Sequence, residues 1–171
     1  MIIWLNGAFG AGKTTIAEIL NKKIPNSYLY DPEEIGDFFR HNLPKSIQKD
    51  DFQDYDEWRD WNFHILKKLN DEYEGHVIAP MTLYKKDAFE SIIGRLRKEN
   101  VDIRHFILEV DKDQVLKRLS NRSEGLKEWG ANRLNDINES FEKMTHEERI
   151  KNDGRKPIET VDEIIERLNL D

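Results

Sequence analysis

The chain contains no cysteine, so disulfide frameworks, Cys-based zinc sites and thiol nucleophiles are all excluded. It also lacks a basic excess: 27 Lys and Arg stand against 34 Asp and Glu, which gives a formal net charge of −7. Affinity for a nucleic-acid backbone comes from clustered Lys and Arg. We therefore expect no nucleic-acid partner, and any phosphate that is bound should be small and locally held.

Long apolar runs are absent as well. No segment approaches the roughly 20 apolar residues that a membrane-spanning helix needs. The first apolar run covers only about five residues and has no basic region before it, unlike a signal peptide. We expect a cytoplasmic protein with no stable membrane anchor. A length of 171 residues fits one domain over the whole chain, as a monomer or homodimer.

Short apolar strands alternate with segments of helical period. The predicted strands are 2–6, 27–31, 76–82, 104–110 and 149–153, and the segments between them carry apolar residues three or four positions apart. Such alternation indicates an α/β fold, in which helices cover both faces of a parallel sheet. Ligands of these sheets sit outside the carboxyl ends of the strands. The spacing Thr160-x-x-Glu163 further predicts a capping box at the start of the last helix.

A glycine-rich turn follows the first predicted strand and precedes the first helix. Its sequence, GAFGAGKT, matches G-x-x-x-x-G-K-[ST], whose glycines let backbone N–H groups converge on phosphate oxygens. The lysine of this pattern reaches the β- and γ-phosphates of a nucleotide, and the hydroxyl after it ligates Mg²⁺. We predict binding of ATP and Mg²⁺, with Thr14 on the metal. The predicted nucleotide contacts are Gly7, Ala8, Phe9, Gly10, Ala11, Gly12, Lys13, Thr14 and Thr15.

The class of P-loop protein is narrowed by two missing features. The third strand reads VIAPMT, with Pro80 where a Walker B aspartate would be expected. No long insertion provides a motor or regulatory GTPase domain. Small P-loop kinases are the class that fits this length and lacks that aspartate.

Two charged residues after the second strand are candidates for the acceptor side. Asp31 is placed to accept a proton from an acceptor hydroxyl or to hold the water shell of the metal. The alternative is a helix N-cap before Pro32, and the two roles are compatible. Arg40, nine residues further along, is a candidate clamp for an anionic or carbonyl group, or else a solvated surface charge.

The segment 49–69 is dense in aromatic and acidic residues, within an acceptor region that we place at about 31–70. Candidate walls for a flat or sugar-like acceptor are Phe52, Gln53, Tyr55, Trp58 and Arg59. Packing alone is the alternative, because Trp58, Trp61, Ile65 and Leu66 follow helical spacing.

A lid is predicted over 118–133, after the fourth strand. Arg118 and Arg122 are spaced i, i+4 on one helical face, and arginine is suited to spreading the charge of a transferring phosphoryl group. An ordinary basic helix terminus is the alternative. We predict that both arginines bind the nucleotide and that Arg122, with Lys13 and Asp31, is catalytic. The five histidines show no metal-ligand spacing.

These segments resemble known families. RLSNR resembles the lid start of nucleoside-monophosphate-kinase-like P-loop enzymes, which include shikimate, gluconate and chloramphenicol kinases. Six further segments are similar to segments of the bacterial tunicamycin resistance protein family: MIIWLNGAFGAGKT, YDPEEIG, KDDFQDYDEWR, APMT, IIGRLR and LKRLSNRSEG. The likeness covers about residues 1–130.

The resemblance implies a three-layer P-loop fold with strand order 2-3-1-4-5. It also implies ATP at Gly7–Thr14 and a uridine-containing antibiotic near Asp31 to Arg59. Arg118 would stack on adenine, Arg122 would meet the phosphates, and residues 152–154 would lie near the base edge. Members use a longer C-terminal amphipathic tail for membrane attachment; since the sequence up to Asp171 shows no such tail, we do not extend membrane association to this chain.

The sequence thus favours an ATP-dependent kinase that phosphorylates a hydroxyl of a small molecule, and the resemblance implies a nucleoside antibiotic such as tunicamycin as the acceptor. The rival is an ATP-binding protein that sequesters the antibiotic without phosphorylating it. Both need the same phosphate loop and pocket, so the sequence leaves both open. A nucleic-acid kinase or remodeller is disfavoured by the acidic balance.

Overall fold

The computed structural model of the protein describes residues 1–119 and 124–170. Its strands form one parallel sheet in the order β2-β3-β1-β4-β5, so the predicted α/β class and the 2-3-1-4-5 order are confirmed. The strands are β1 (Ile2–Gly7), β2 (Ser27–Leu29), β3 (His76–Pro80), β4 (Ile103–Glu109) and β5 (Glu148–Lys151).

Helices connect these strands. They are α1 (Lys13–Lys23), α2 (Glu33–Asn42), α3 (Asp56–Glu72), α4 (Lys86–Phe89), α5 (Arg95–Lys98), α6 (Lys112–Leu119), α7 (Glu124–Lys143) and α8 (Pro157–Leu168). The α4–α5 segment is continuous through a π-helical turn at Glu90–Gly94. Two 3₁₀ turns cover Lys45–Ile47 and Phe52–Asp54. Within the described parts of the chain, no helix has the length and apolar character to cross a bilayer.

The central strand β1 is fully buried and sends alternate side chains to the two faces of the sheet. Ile2 and Trp4 belong to an apolar cluster with residues of α3 and the α4–α5 segment, whereas Ile3 and Leu5 pack with residues of α1 and α8. A strand buried on both faces is expected to read as a continuous apolar run, as IIWL does. The end of β1, where the glycine-rich turn begins, is thereby held by two apolar layers.

The predicted start of the last helix is wrong. α8 begins at Pro157, and the backbone N–H of Lys156 donates to Glu159 Oε2 at 2.7 Å. Thr160 lies inside the helix and is fully buried, and its hydroxyl donates to Asn152 Oδ1 at 2.7 Å. Proline is favoured at the first helical position because its missing N–H costs nothing there. The Thr160 hydroxyl makes a tertiary contact instead of a cap.

The predicted lid segment is, in its described parts, the end of α6 and the first half of α7. α6 lies against the glycine-rich turn: a Cβ added to Gly10 would lie 3.5 Å from the Val115 carbonyl oxygen and 3.6 Å from a Leu119 carbon. Arg122 lies outside the described residues.

Candidate functional site

The glycine-rich turn curves at the carboxyl end of β1 and leads into α1, which begins at Lys13. Gly10 and Gly12 adopt φ values of 83° and 96°, a region that other residues rarely enter. Lys13 Nζ donates to the carbonyl oxygens of Gly7 and Ala8, at 3.0 Å each. The ammonium group is therefore held across the mouth of the turn, beside the helix N-terminus that favours bound anions.

The turn forms one wall of a cavity of about 180 Å³. The lining residues are Phe9, Gly10, Gly12, Lys13, Thr14, Thr15, Leu29, Asp31, Glu33 and Pro80. The structure thus brings Asp31 to the cavity of the phosphate loop, as the strand ends predict. Asp31 Oδ1 accepts a hydrogen bond from the Glu33 N–H at 2.9 Å, so a capping contact is present. A carboxylate has acceptor sites beyond this one.

The oxygen atoms that this cavity offers as ligands suit Mg²⁺. The Thr14 hydroxyl and the carboxylates of Asp31 and Glu33 line it together, and Mg²⁺ prefers oxygen ligands. The described residues contain no group of three or more His, Cys, Asp or Glu side chains placed to hold a metal. Mg²⁺ at such a site is held mainly by nucleotide phosphates, with one or two protein oxygens.

Arg118 reaches the phosphate loop from α6. Its Nη1 donates to the Gly10 carbonyl oxygen at 3.2 Å, and the side chain is half-buried. A guanidinium group at this position neighbours the turn that would hold the phosphates. The position is compatible with the predicted nucleotide contact.

Three polar side chains tie the phosphate loop to the sheet; sequence reasoning missed Thr82 and Asn6, and it placed Asn152 near the base edge only through the family resemblance. The Thr82 hydroxyl donates to the Gly7 carbonyl oxygen, and Asn152 Nδ2 donates to that of Ala11, both at 2.7 Å. Asn6 Oδ1 accepts from the Gly7 N–H at 2.9 Å. Each of the three is nearly or fully buried. For Asn6, the available signal was a polar residue directly after the apolar run IIWL.

The acceptor-side candidates divide between the core and the surface. Trp58 is fully buried, and its Nε1 donates to the Pro32 carbonyl oxygen at 2.9 Å, so it holds the start of α2 and does not form an open wall. Gln53 is 1% exposed. Its Oε1 accepts from the N–H groups of Tyr84 and Lys85 at 3.1 Å each, so it too braces the backbone.

Arg40, Phe52 and Arg59 form a second set, away from the lining of the phosphate-loop cavity. The Arg40 guanidinium stacks over the Phe52 ring at 4.7 Å and pairs with Asp37 at 2.8 Å. Arg59 Nη1 donates to the Gln53 carbonyl oxygen at 2.7 Å. Of the substrate residues predicted from the sequence, only Asp31 lines that cavity.

Phe52 lies directly on Gly36 of α2. A Cβ at Gly36 would come within 2.2 to 2.4 Å of three ring carbons of Phe52. Glycine to alanine in a helix normally gains about 1 kcal/mol. Here we expect Gly36→Ala to lose about 1–3 kcal/mol in the free energy of unfolding, because the ring must move. Denaturant unfolding measures the change.

Gly94 provides the matched control for this substitution. It is also helical, but a Cβ there would meet chiefly the Glu90 Oε2 atom, at 2.5 Å, which is the end of a flexible side chain. Gly94→Ala should therefore be neutral or stabilising. Unfolding curves in which Gly36→Ala matches Gly94→Ala would show that Phe52 does not constrain this face of α2.

A family model described as an AAA domain matches residues 2–144. The chain belongs to this family. A solved structure of the Deinococcus radiodurans tunicamycin resistance protein aligns with a TM-score of 0.77 and 27% identity, over 99% of this chain and 96% of that chain. The resemblance drawn from the sequence segments is thereby confirmed. No curated protein matches the chain.

Two kinases share the fold at lower identity. Shikimate kinase from Aquifex aeolicus vf5 aligns with a TM-score of 0.59 and 22% identity, over 98% of this chain and 96% of that chain. An unliganded sugar kinase from Janibacter sp. HTCC2649 aligns with a TM-score of 0.66 and 16% identity, over 98% and 94%. The chain therefore has a P-loop kinase-like fold.

Proposed function

We propose that the protein is a phosphotransferase that moves the γ-phosphate of ATP to a hydroxyl group of a small acceptor. The observation that carries this proposal is a shared cavity: Lys13 and Thr14 of the phosphate loop line it together with the Asp31 carboxylate. A phosphate-holding group and a candidate proton acceptor thus face one space. A kinase-like fold supports the same reaction class.

The chemistry follows from the roles of these side chains. Lys13 gives up its carbonyl partners to bind the β- and γ-phosphates, and the backbone N–H groups of the turn bind the phosphate oxygens. Bound Mg²⁺, ligated by Thr14, would neutralise charge on the transferring group. Asp31 accepts the proton of the attacking hydroxyl. Phosphoryl transfer asks mainly for positioning and charge stabilisation, which this arrangement provides.

The proposed acceptor class is a nucleoside antibiotic such as tunicamycin. Support comes from the D. radiodurans tunicamycin resistance protein, at 27% identity over nearly the full length of both chains. Phosphorylation of the antibiotic and its sequestration without chemistry remain two separate hypotheses for this chain. The Asp31 carboxylate at the phosphate loop favours phosphorylation, because a sequestering protein does not need a proton acceptor there.

The test is to incubate the protein with Mg-ATP and the antibiotic, and to follow the mass of the antibiotic. Transfer adds one phosphate to it and releases ADP in equal amount. Shikimate and simple sugars serve as acceptors for comparison. Tight antibiotic binding with an unchanged mass would favour sequestration. ADP formation only with another acceptor would retain the kinase assignment and reject the antibiotic.

A further inference from the structure

Asn6 is a fully buried side chain that lies between two loops of the site. Its Oδ1 accepts from the N–H groups of Gly7 and Leu83, at 2.9 Å each. Its Nδ2 donates to the Leu83 carbonyl oxygen at 2.7 Å. One side-chain amide therefore connects the first residue of the phosphate loop to the loop after β3. It does so through the same kinds of hydrogen bond that the peptide group of a neighbouring strand would make.

A histidine completes the bonding of this amide. Asn6 Nδ2 lies 3.0 Å from Nε2 of His105, a fully buried side chain, and His105 Nδ1 lies 2.9 Å from Glu147 Oε2. Arg97 then binds the Glu147 carboxylate with both terminal nitrogens, at 2.7 and 2.8 Å. The chain of contacts runs from the partly exposed Arg97 side chain to the phosphate loop.

The donors and acceptors in this chain fix one another. The Glu147 carboxylate only accepts, so His105 Nδ1 carries the proton. Asn6 Oδ1 is occupied by two backbone N–H groups, so its NH₂ group faces His105, and Nε2 must accept from it. A flipped Asn6 amide would set NH₂ against two backbone N–H groups. The observed orientation thus requires a neutral imidazole.

We propose that Asn6 is a positioning residue that sets the phosphate loop against the loop after β3, and that neutral His105 selects the orientation of its amide. Thr82 in that second loop donates to Gly7, and Gln53 Nε2 lies 3.3 Å from the Thr82 carbonyl oxygen. The loop that Asn6 positions therefore connects the phosphate loop to Gln53, within the predicted acceptor region.

Protonation of His105 would put two donors against each other. The charged groups that face the ring are Glu147, in the loop before β5, and Arg97 behind it on α5; the Phe89 ring packs at 5.5 Å. Burial lowers the pKa of His105 below its usual 6.5, whereas the hydrogen bond to Glu147 raises it by less. The pKa of Glu147 would rise on burial alone, but hydrogen bonds from Arg97 and His105 lower it to about 2.

These directions define a pH window. An unfolded histidine binds a proton near pH 6.5, whereas the buried ring resists it, so the proton disfavours the folded arrangement. The contribution of His105 to stability is present above pH 6.5 and falls as the pH drops toward its lower folded pKa. Glu147 stays ionised throughout this range. The folded ring therefore stays neutral until the pH falls to its own lowered pKa, and the phosphate loop should be disturbed only from that point down.

The experiment measures Mg-ATP affinity by calorimetry in the full chain, from pH 8 down to the lowest pH at which the protein stays folded, beside an NMR titration of the His105 ring. His105→Gln keeps one acceptor and one donor but does not titrate. We expect wild-type affinity to fall about tenfold more than that of His105→Gln once the pH drops through the folded pKa of His105, the size of one lost buried hydrogen bond. Proton binding by ATP itself affects both proteins equally and cancels in the comparison.

His76→Gln is the matched control. His76 begins β3, at the end of this strand opposite to the loop that contacts Asn6, and burial also lowers its pKa. Its variant should keep the wild-type pH profile of ATP affinity. Profiles of wild-type and His105→Gln that coincide across the titration of the His105 ring, or a profile that changes as much in His76→Gln, would overturn the proposal.

A second measurement does not depend on ATP. Asn6→Asp replaces the amide donor with a carboxylate that accepts from Nε2, so NMR should show the His105 pKa raised above its wild-type value. An unchanged ring titration in the folded variant would overturn the contact. The inference rests on the proposed function only for its ATP probe. Failure of wild-type protein to bind Mg-ATP would refute that function, and the ring titration would still decide the role of Asn6.

Discussion

Lys13→Ala is expected to weaken Mg-ATP binding by about 10²-fold. The ammonium group forms charge-assisted hydrogen bonds when it meets phosphate, each of which contributes roughly 1.5–3 kcal/mol. About 3 kcal/mol in total corresponds to two decades in the dissociation constant. In the free protein the same group binds the Gly7 and Ala8 carbonyl oxygens, which are neutral acceptors. Loss of these two hydrogen bonds should change the melting temperature little. Calorimetric titration with Mg-ATP measures the affinity, beside a thermal unfolding curve.

Lys22→Ala controls for the loss of one positive charge from the same helix. Lys22 lies in the last turn of α1, at the end opposite to the phosphate loop. The Lys22→Ala variant should bind Mg-ATP with nearly wild-type affinity, because exposed charges at that distance are screened by salt. An ATP affinity for Lys13→Ala equal to that of Lys22→Ala would refute the assignment of the glycine-rich turn as a phosphate loop.

The fold was predictable because its signals are local and periodic. β1 is an apolar run followed at once by the glycine pattern, and both constrain the backbone without help from distant residues. The segment containing Phe89, Ile92, Ile93 and Leu96 was predictable for the same reason, since the last three are fully buried on one face. Its π-helical turn was not, because one extra residue in a turn leaves the apolar spacing nearly unchanged.

The site was less predictable because it depends on pairings across the sheet. Asn6 and His105 are 99 residues apart, and only the alignment of β1 with β4 brings them to the same face. Trp58 reads equally well as a ligand wall or as core, and its indole bond to Pro32 decides for the core. Thr160 fits a cap by spacing alone, yet its hydroxyl donates a hydrogen bond to Asn152 Oδ1. In each case a tertiary hydrogen bond overrides a local pattern.

Asp31→Asn is expected to abolish most phosphoryl transfer while leaving the fold intact. The loss of a general base typically costs about 10²–10⁴ in rate. The contact from the Glu33 N–H to Asp31 Oδ1 survives, because asparagine caps helices nearly as well as aspartate. The variant should therefore melt near wild-type and bind Mg-ATP as tightly. Mass spectrometry of the acceptor after timed incubation gives the rate.

Two neighbouring carboxylates make this prediction specific. Glu33 lines the same cavity as Asp31, whereas Glu34 follows it in the first turn of α2 and is not among the lining residues. Glu34→Gln removes an equal charge and should transfer phosphate at nearly the wild-type rate. If Asp31→Asn keeps full activity and Glu33→Gln loses it, Glu33 is the base and Asp31 serves α2 alone. If all three variants transfer phosphate like wild-type, neither carboxylate accepts the proton, as the loose transition state of phosphoryl transfer permits. Catalysis would then rest on the positioning and charge that the phosphate loop provides.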